Sequence, residues 1–464
     1  MSKEEKNSNN ETTGGINRRS FLKATASTVA GVYAMGAGGF GVLNRAFAED
    51  YPPMGNYPID GNPKFGFVID QTGAYADEGE DQFRALKLAV RHINEGGGIL
   101  DTMEPCALKG DGILGQKVEY VVGDGETDPD AARDMGRRMI ERDGVITYTG
   151  GSSSAVAIAQ QDLAQEKGVI FMCALTHSND TVGKARRRFG FRMFFDAQMT
   201  GQALGPVLAK EYGKDRKAFH LTADYNWGHS QLESMKEFTE KEGWTTERNI
   251  MTPLGTTDYS QYLTAVLNSD ADVLVLNHYG EDAVYSLTQA VRFGLKNREV
   301  NGKEMKIIVP MLSQVVAHSA GAENMEGIIS TNEFHYTLDT PGAQAFTRAY
   351  IDEYGIPPGH GGHTAYTQMI LYADAVERAG THYPPEVIKA LEGFEFDGAG
   401  YGPTLYRACD HQGYHRILVV QGKSPSEMED EWDVFNILAE VPKEDVTYDC
   451  DLFPGELGPY EPSK

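Results

Sequence analysis

Short apolar runs alternate with longer amphipathic stretches along most of this chain, and this alternation constrains the fold more than any other feature. In the first part of the chain the apolar runs are Phe65–Ile69, Val118–Val122, Val145–Tyr148 and Val169–Cys173, and stretches of helical length lie between them at 80–95, 129–142 and 154–166. Strands separated by helices of this length form βαβ units, in which helices cover both faces of a parallel sheet. The pattern therefore predicts a doubly wound α/β lobe.

The same pattern restarts after residue 195. Predicted strands at 218–222, 248–252, 273–276 and 307–310 alternate with predicted helices at 199–212, 228–242, 259–268 and 281–294. This repetition predicts a second α/β lobe of similar construction. Further on we expect a strand at 326–332, helices at 341–354, 364–379 and 384–392, and a hairpin that joins 406–408 to 416–421 through a polar turn. The tail from Ser424 is acidic and rich in proline.

The first 48 residues have the pattern of an export signal. Arg18 and Arg19 precede an uncharged stretch that runs to Leu43, and Ala46-Phe47-Ala48 has the small-x-small form of a cleavage site. The arginine pair resembles a twin-arginine signal, which implies export of a folded protein through the twin-arginine translocase. The alternative is a membrane anchor at 24–43, but that stretch is rich in Gly, Ala and Ser and would insert weakly. We expect no stable membrane insertion after processing.

Charge and composition exclude several classes of protein. The chain carries 42 Lys and Arg against 67 Asp and Glu, a net charge of -25, and loss of residues 1–48 would make it slightly more acidic. A surface of this sign does not hold nucleic acid or an anionic membrane by diffuse attraction. With 41% hydrophobic and 23% charged residues, the chain has the composition of a globular protein.

All four cysteines follow the predicted signal, and an exported compartment permits disulfides. Four cysteines allow three full pairings, which the sequence alone does not separate. Cys409 and Cys450 flank the C-terminal segment and are the favoured pair, whereas Cys173 ends an apolar run and is expected to be a buried thiol. The chain has no Cys-x-x-Cys spacing, which argues against a zinc or redox site.

Four segments have some features of catalytic or metal-binding motifs, and each has a plainer interpretation. They are the glycine-rich Gly36–Gly41, the serine-containing Gly151–Ala155, the pair His360 and His363, and the alternating acids from Asp124 to Asp130. The first lies within the predicted signal and the second lacks the final glycine of a nucleophile elbow. The histidines lie in a predicted loop at a helix start, and Asp128 is better explained as the cap of a helix that opens at Pro129. We expect no catalytic residues, metal or cofactor.

Polar and aromatic side chains directly follow four of the predicted strands. Thr149–Ser154 and Ala174–Ser178 follow strands of the first lobe, and Asp224–Gly228 and Asn277–Gly280 follow strands of the second. Serine hydroxyls and free backbone N–H groups at a helix N-terminus suit a carboxylate or carbonyl oxygen, although simple capping of the helix by Ser152 or Ser153 is at least as common. Large aromatics at strand ends can clamp a small ligand.

Taken in order, these segments resemble type I periplasmic solute-binding proteins of the branched-chain amino acid and amide class, which serve ATP-driven importers. The resemblance covers about residues 63–425. Its further signs are Thr72-Gly-Ala-Tyr75 before the first helix, His92–Gly98 at its end, and Gly115–Val122 with Asp128-Pro129 beyond. It implies two Rossmann-like lobes, joined by three hinge crossings, that close on a ligand.

The resemblance also implies which residues contact the ligand. The first lobe would hold a ligand carboxylate through Ser152, Ser153, Ala174 and Thr176, and the second would contribute Trp227 and Tyr279, with Tyr225 nearby. Relatives that bind α-amino acids often have an acid after the strand that here ends Val309-Pro310, but this chain has Met311. A neutral Met does not pair with a buried ammonium, and an unpaired buried charge is costly. Glu78 is the candidate to supply the missing charge; otherwise the ligand is not an amino acid.

The resulting prediction is an exported solute receptor that performs no chemistry. It would capture an amino acid, an amide or a small carboxylate in the periplasm and deliver it to the membrane permease and ATPase of an ABC importer. The alternative is a sensor of the same fold that signals to a partner protein. The expected organisation is a signal at 1–48, a linker at 49–62, a first lobe from 63–195 and 331–402, and a second lobe from 196–330 and 403–464 that includes the acidic tail.

Overall fold

The computed structural model describes residues 51–463. The predicted signal and the alternative anchor at 24–43 lie outside these residues. Within them the order of elements is α/β throughout, as the alternation of apolar runs predicts. None of the helices in this range is both long and apolar enough to cross a bilayer.

The first sheet has five parallel strands. Its elements are β1 Lys64–Ile69, α1 Ala76–Glu95, β2 Glu119–Asp124, α2 Pro129–Arg138, β3 Thr147–Gly150, α3 Ser154–Lys167, β4 Ile170–Cys173, α4 Asn179–Val182 and β5 Gly190–Arg192. The strands lie in the order β2-β1-β3-β4-β5. The inner strands β3 and β4 are buried at every residue because helices cover both faces of the sheet, which explains the continuous apolar sequence of β4.

The second sheet has seven strands, and its five parallel strands repeat the strand order of the first sheet. Its elements are α5 Ala197–Tyr212, β6 Lys217–Ala223, α6 Asn226–Lys241, β7 Thr245–Thr252, α7 Ser260–Leu267, β8 Val273–Asn277, α8 Gly280–Arg292, the short β9 Glu299–Val300 and β10 Lys303–Glu304, β11 Lys306–Met311, α9 Gln314–Ala320, α10 Ala322–Met325 and β12 Ile329–Asn332. Strands β7-β6-β8-β11-β12 are parallel. The pair β9-β10 forms a separate two-stranded sheet.

The rest of the chain returns to both sheets. Its elements are α11 Pro341–Tyr354, α12 His360–Ala379, α13 Pro384–Leu391, β13 Glu395–Phe396, β14 Thr404–Tyr406, β15 Gly413–Tyr414, β16 Ile417–Gly422, β17 Phe435–Val441 and α14 Lys443–Val446. Helices α11 and α12 pack on α1 of the first sheet. Strands β16 and β17 then complete the second sheet beside β12. The prediction of two doubly wound lobes linked by several crossings is confirmed.

Arg192 lies at the first crossing between the lobes and is fully buried. Its guanidinium donates to Oδ2 of Asp196 at 3.0 Å, to the Ser178 carbonyl at 2.5 Å and to Oε1 of Gln412 at 2.7 Å. Asp196 is fully buried too, and its other oxygen caps α5 by accepting from the Met199 N–H at 2.9 Å. A buried charge is stable only when it is paired and hydrogen-bonded, and this cluster meets both conditions.

The predicted hairpin near residue 410 is wrong in its pairing. Strand β14 pairs with the two-residue β15, whereas β16 pairs with β12 in the second sheet. The reason is burial: the run Ile417–Val420 is buried at every residue, and a hairpin on the surface would leave one face of it in water. Strand β17 was not predicted, because it is an edge strand whose partly exposed residues lie within a polar, acidic segment.

The end of the chain packs back on the first lobe. The Arg188 N–H donates to the Leu457 carbonyl at 2.6 Å, and the Ser463 N–H donates to the Gln165 carbonyl at 2.9 Å. A disulfide joins Cys409 to Cys450, whose Cα atoms are 6.3 Å apart. The Cys173 thiol is buried and Cys106 is partly exposed.

Candidate functional site

The candidate binding loops lie at or beside the point where the strand order of each sheet reverses. In the first sheet the reversal falls between β1 and β3, and in the second it falls between β6 and β8. Open parallel sheets bind ligands at this point, outside the carboxyl ends of the strands. All four polar and aromatic segments identified in the sequence therefore belong to one cleft.

The two sides of the cleft are in contact. The Tyr75 hydroxyl, after β1, shares a hydrogen bond of 2.5 Å with the Tyr225 hydroxyl, after β6. The Ser178 and Ser230 hydroxyls, also from opposite lobes, are 2.9 Å apart. The structure therefore shows the lobes closed on each other.

The serine loop follows β3 at the start of α3. Ser152 donates its backbone N–H to Oδ2 of Asp70 at 2.9 Å, and its hydroxyl accepts from the Gln82 side-chain amide at 2.8 Å. The Ser152 hydroxyl in turn donates to the Asp70 carboxyl and offsets part of the rise in the pKa of Asp70 that burial causes. Ser153 is the N-cap of α3, but its side chain makes no capping hydrogen bond. The expected capping of α3 by a serine side chain is therefore not seen, and the Ser153 hydroxyl is not engaged by the helix.

The neighbouring segment after β4 is held by the serine loop. The Thr176 hydroxyl donates to Oγ of Ser154 at 2.8 Å and lies 3.1 Å from the Thr181 hydroxyl. Ser154 also accepts from the backbone N–H groups of His177 and Ser178. Ala174 is fully buried beside them. In this closed form the Thr176 hydroxyl therefore orders the loops around the cleft.

Four aromatic side chains from both lobes lie together at the cleft. The ring centroids of Tyr75 and Tyr279 are 5.8 Å apart, those of Tyr279 and Trp227 are 6.2 Å apart, and those of Trp227 and Tyr225 are 6.0 Å apart. Tyr75, Trp227 and Tyr279 are almost completely buried, whereas Tyr225 is partly exposed. Three of them, Tyr225, Trp227 and Tyr279, are ligand-contact candidates in the sequence. The sequence indicates Tyr75 only as part of the motif before the first helix. Its position directly before α1 was the feature that could have identified it as a cleft residue.

Two neutral histidines hold these rings in position. The Trp227 indole N–H donates to Nδ1 of His177 at 2.7 Å, and the Tyr279 hydroxyl lies 2.9 Å from Nε2 of His360. Burial holds the pKa of His177 well below its usual value and lowers that of His360 to about 3. His360 and His363 lie in the first turn of α12, not in a loop as expected. No cluster of His, Cys, Asp or Glu within residues 51–463 could hold a metal ion.

Glu78, on the first turn of α1, reaches across the cleft. Its Oε1 accepts from the Ser313 hydroxyl, and Oε2 has no hydrogen-bond partner among the described residues. The side chain is fully buried, and burial together with the nearby Asp81 raises its pKa to about 8. Met311 is buried at the end of β11, two residues before Ser313. A carboxyl from the first lobe therefore lies close to the point where the resemblance implies an acid from the second.

Asp81, one turn after Glu78, has a structural role. It accepts hydrogen bonds from the Tyr350 hydroxyl at 2.7 Å and from the backbone N–H groups of Gly359 and Gly362 at 3.2 and 2.7 Å. The carboxylate thus caps the N-terminus of α12. Similarly, Asp128 caps α2 by accepting from the Asp130 and Ala131 N–H groups, as predicted.

The closed cleft holds a small cavity between the two lobes. A cavity of about 10 Å³, roughly one water, is lined by Tyr75, Glu78, Gly280 and Val284. Tyr75 and Glu78 come from the first lobe, and Gly280 and Val284 from α8 of the second. Entry of a ligand of several heavy atoms therefore requires the lobes to separate.

These observations define a two-lobed solute-binding protein of type I. A family profile described as periplasmic binding protein matches residues 63–427, and the chain belongs to that family. This is a family of solute-binding proteins and not an enzyme class.

Three similar proteins illustrate the relationship. The "Leu/Ile/Val-binding protein homolog 8" of Brucella abortus (strain 2308) is 26% identical over 360 residues, which cover 73% of this chain and 83% of that protein. An amino acid ABC transporter substrate-binding protein from Pseudomonas fluorescens Pf-5 superimposes with a TM-score of 0.75 at 23% identity, covering 86% of this chain and all of that one. A solute-binding protein of an ABC transporter from Rhodopseudomonas palustris BisB5, in complex with 3,4-dihydroxybenzoic acid, has a TM-score of 0.70 at 21% identity and covers 83% and 98% of the two chains.

Proposed function

We propose that this chain is the extracytoplasmic receptor of an ABC importer and that it delivers a small organic solute to a membrane permease and its ATPase. The observation that carries the proposal is the closed cleft, in which strand-end loops of both lobes meet at their switch points through the Tyr75–Tyr225 and Ser178–Ser230 hydrogen bonds. Closure over a small volume, with buried polar groups that orient a ligand, suits capture and transport.

Within the cleft, the serine loop is proposed to hold a ligand carboxylate or carbonyl oxygen. The Ser153 hydroxyl is not used by the helix, and the N-terminus of α3 supplies backbone N–H groups. Ala174 and Thr176 support this loop from β4. Similar proteins carry the names of Leu/Ile/Val-binding homologues or are complexed with an aromatic acid, so both amino acids and carboxylates belong in the first ligand screen.

The proposal includes export to the periplasm by the twin-arginine route, with cleavage after Ala48. Its support is the Arg18-Arg19 pattern together with the Cys409–Cys450 disulfide, because structural disulfides persist in oxidising compartments. The lobe segments are proposed as the sequence predicts them, at 63–195 and 331–402 for the first lobe and at 196–330 and 403–464 for the second, with further contacts from the end of the chain to Gln165 and Arg188 of the first lobe.

The decisive experiment is a thermal-shift screen of the purified protein against amino acids, amides, polyamines and aromatic acids. A ligand should raise the melting temperature, since it binds only the folded protein. Replacing both Ser153 and Thr176 by Ala should abolish the shift, whereas Thr264→Ala, which removes an exposed hydroxyl on α7, should leave it unchanged. A full shift in the double variant would refute the assignment of the serine loop.

A further inference from the structure

The chain continues beyond the part that matches the family. The family profile ends at residue 427, and β17, α14 and the irregular segment from 447 to 463 all follow it. The first part of this extension belongs to the second lobe, because β17 pairs with β16 and α14 packs on α5. The segment 447–463 then leaves that lobe.

The segment first passes the hinge, where two bonds hold it. The Tyr448 hydroxyl donates to Oδ2 of Asp196, the same oxygen that accepts from Arg192 at the first crossing. Shortly after, a disulfide joins Cys450 to Cys409 in the turn between β14 and β15. One of these bonds is covalent, and the other ends on a fully buried carboxylate.

The disulfide-bonded turn is itself part of the hinge. Its Gln412 accepts from the Arg192 guanidinium at 2.7 Å and donates to the Phe194 carbonyl at 3.0 Å. From the same turn, the Arg407 guanidinium donates to the Tyr448 carbonyl. The first crossing, this turn and the start of the segment 447–463 therefore form one hydrogen-bonded cluster.

Beyond the disulfide the segment packs on the first lobe. The Arg186 guanidinium donates to the Gly455 carbonyl. The Arg188 N–H donates to the Leu457 carbonyl at 2.6 Å, and the Leu457 side chain is buried. The chain thus crosses from the second lobe to the first once more, in a segment that lies outside the family match.

The bonds at the hinge leave little free chain on either side of it. Thr447 alone separates Tyr448 from Val446, which is buried in the second lobe, and residues 451–454 separate Cys450 from Gly455 on the first lobe. An extended chain spans about 3.3 to 3.6 Å per residue. A wide rotation of one lobe against the other therefore breaks contacts at one end of the segment.

The same cluster reaches the cleft. Arg192 donates to the Ser178 carbonyl at 2.5 Å, and the Ser178 hydroxyl lies 2.9 Å from the Ser230 hydroxyl of the second lobe. Because Tyr448 and Arg192 bond to the same oxygen of Asp196, the segment supports the arginine that holds this cleft loop. Its contacts at the hinge thus belong to the closed arrangement of the lobes.

We propose that residues 447–463 form a strap over the hinge that favours the closed form, with the Tyr448–Asp196 hydrogen bond and the Cys409–Cys450 disulfide as its two fixed points. The inference rests on the proposed capture of a solute between the lobes, but not on the identity of that solute. The strap regulates affinity, because the apparent affinity for a ligand rises with the fraction of molecules in the form that binds it.

The test measures the radius of gyration of the unliganded full chain by small-angle X-ray scattering. Tyr448→Phe keeps the ring and removes the hydrogen bond to Asp196, and the double variant Cys409→Ser with Cys450→Ser removes the disulfide. Both should have a larger radius than the wild type at a temperature where all of these proteins are folded, because a larger fraction of the molecules is open.

Tyr460→Phe is the matched control. It removes a tyrosine hydroxyl of the same segment that donates to Glu392 within the first lobe, at 2.6 Å, and should leave the radius unchanged. A segment that only adds stability would lower the melting temperature of the variants without changing their radius, and that result overturns the strap. If the double variant does not fold, Tyr448→Phe decides.

Calorimetry with leucine and benzoate separates this inference from the proposed function. Whichever of them binds the wild type should bind Tyr448→Phe about three- to tenfold more weakly, because fewer molecules are closed. Equal affinity in Tyr448→Phe overturns the strap and leaves the receptor function supported. Failure of every solute in the broad screen counts against the receptor function, whereas the scattering result still decides on the strap.

Discussion

The Ser313 hydroxyl of the second lobe donates a hydrogen bond to Oε1 of Glu78, which helix α1 of the first lobe carries. Their contact spans the cleft, and the other oxygen of Glu78 has no partner among the residues described. Closure of the lobes thus buries a carboxyl group at a cost that its hydrogen bonds offset in part and that protonation removes.

The first prediction concerns the pH dependence that Glu78 causes. Its pKa is raised from 4.5 to about 8, mainly by burial, so its contribution to stability is complete below pH 4.5 and is lost as the pH rises towards 8. We expect the melting temperature of the unliganded protein to fall between pH 5 and pH 8, and Glu78→Gln to reduce that fall by at least about 2 °C. Glu80→Gln, at an exposed position on the same helix, is the control. Identical pH profiles for wild type and Glu78→Gln would contradict the prediction.

The second prediction concerns Gln82, which sequence reasoning did not identify. Its amide donates to Oγ of Ser152 at 2.8 Å and so fixes the position of the serine loop that we propose to hold a ligand oxygen. Gln82→Met should weaken binding of a carboxylate ligand about fivefold, as loss of one oriented hydrogen bond implies. The same change at Gln344, whose amide bonds to the Leu338 carbonyl away from the cleft, should not alter affinity. Calorimetry with a ligand from the screen decides between these outcomes, and unchanged affinity in Gln82→Met would rule out the positioning role.

The third prediction concerns the disulfide. Cys409 and Cys450 close a loop with a sequence separation of 41, and a cross-link of that length stabilises a fold by about 3 to 4 kcal/mol. The Cys409→Ser and Cys450→Ser variants should each melt several degrees lower than the wild type under oxidising conditions. Reduction of the wild type should lower its melting temperature by a similar amount. Cys106→Ser, which changes a partly exposed free thiol, should melt as the wild type does. A melting temperature unaffected by loss of the disulfide would contradict the expectation.

The sequence pattern was sufficient to predict the two lobes and many of the cleft residues, because both depend on local stretches of the chain. A buried parallel strand such as β8 is a continuous apolar run, and the residues that follow it, including Tyr279, lie at the sheet edge by construction. Each lobe could thus be outlined from its own segment of chain. The ordered motifs then indicated how the two lobes combine.

Contacts between segments that are far apart in the sequence could not be predicted from local patterns. Gln82 and Ser152 are 70 positions apart, and Tyr279 and His360 are 81 apart. Nothing in a local pattern distinguishes Gln82 from any other polar residue on an amphipathic helix. The wrong hairpin has the same cause, because the choice of β12 as the partner of β16 depends on a strand more than 80 positions earlier in the chain.

The last prediction concerns the buried ion pair at the first crossing. Arg192 and Asp196 are both fully buried, with 3.0 Å between the guanidinium nitrogen and the carboxylate oxygen. Removal of one partner leaves an unpaired buried charge, which costs about 3 to 5 kcal/mol. Arg192→Met should therefore lower the free energy of unfolding by that amount in urea denaturation. Arg142→Met breaks an exposed pair with Asp143 and should change the same quantity by less than about 1 kcal/mol. If Arg192→Met were no less stable than Arg142→Met, the cluster with Ser178 and Gln412 would not be what holds this crossing in place.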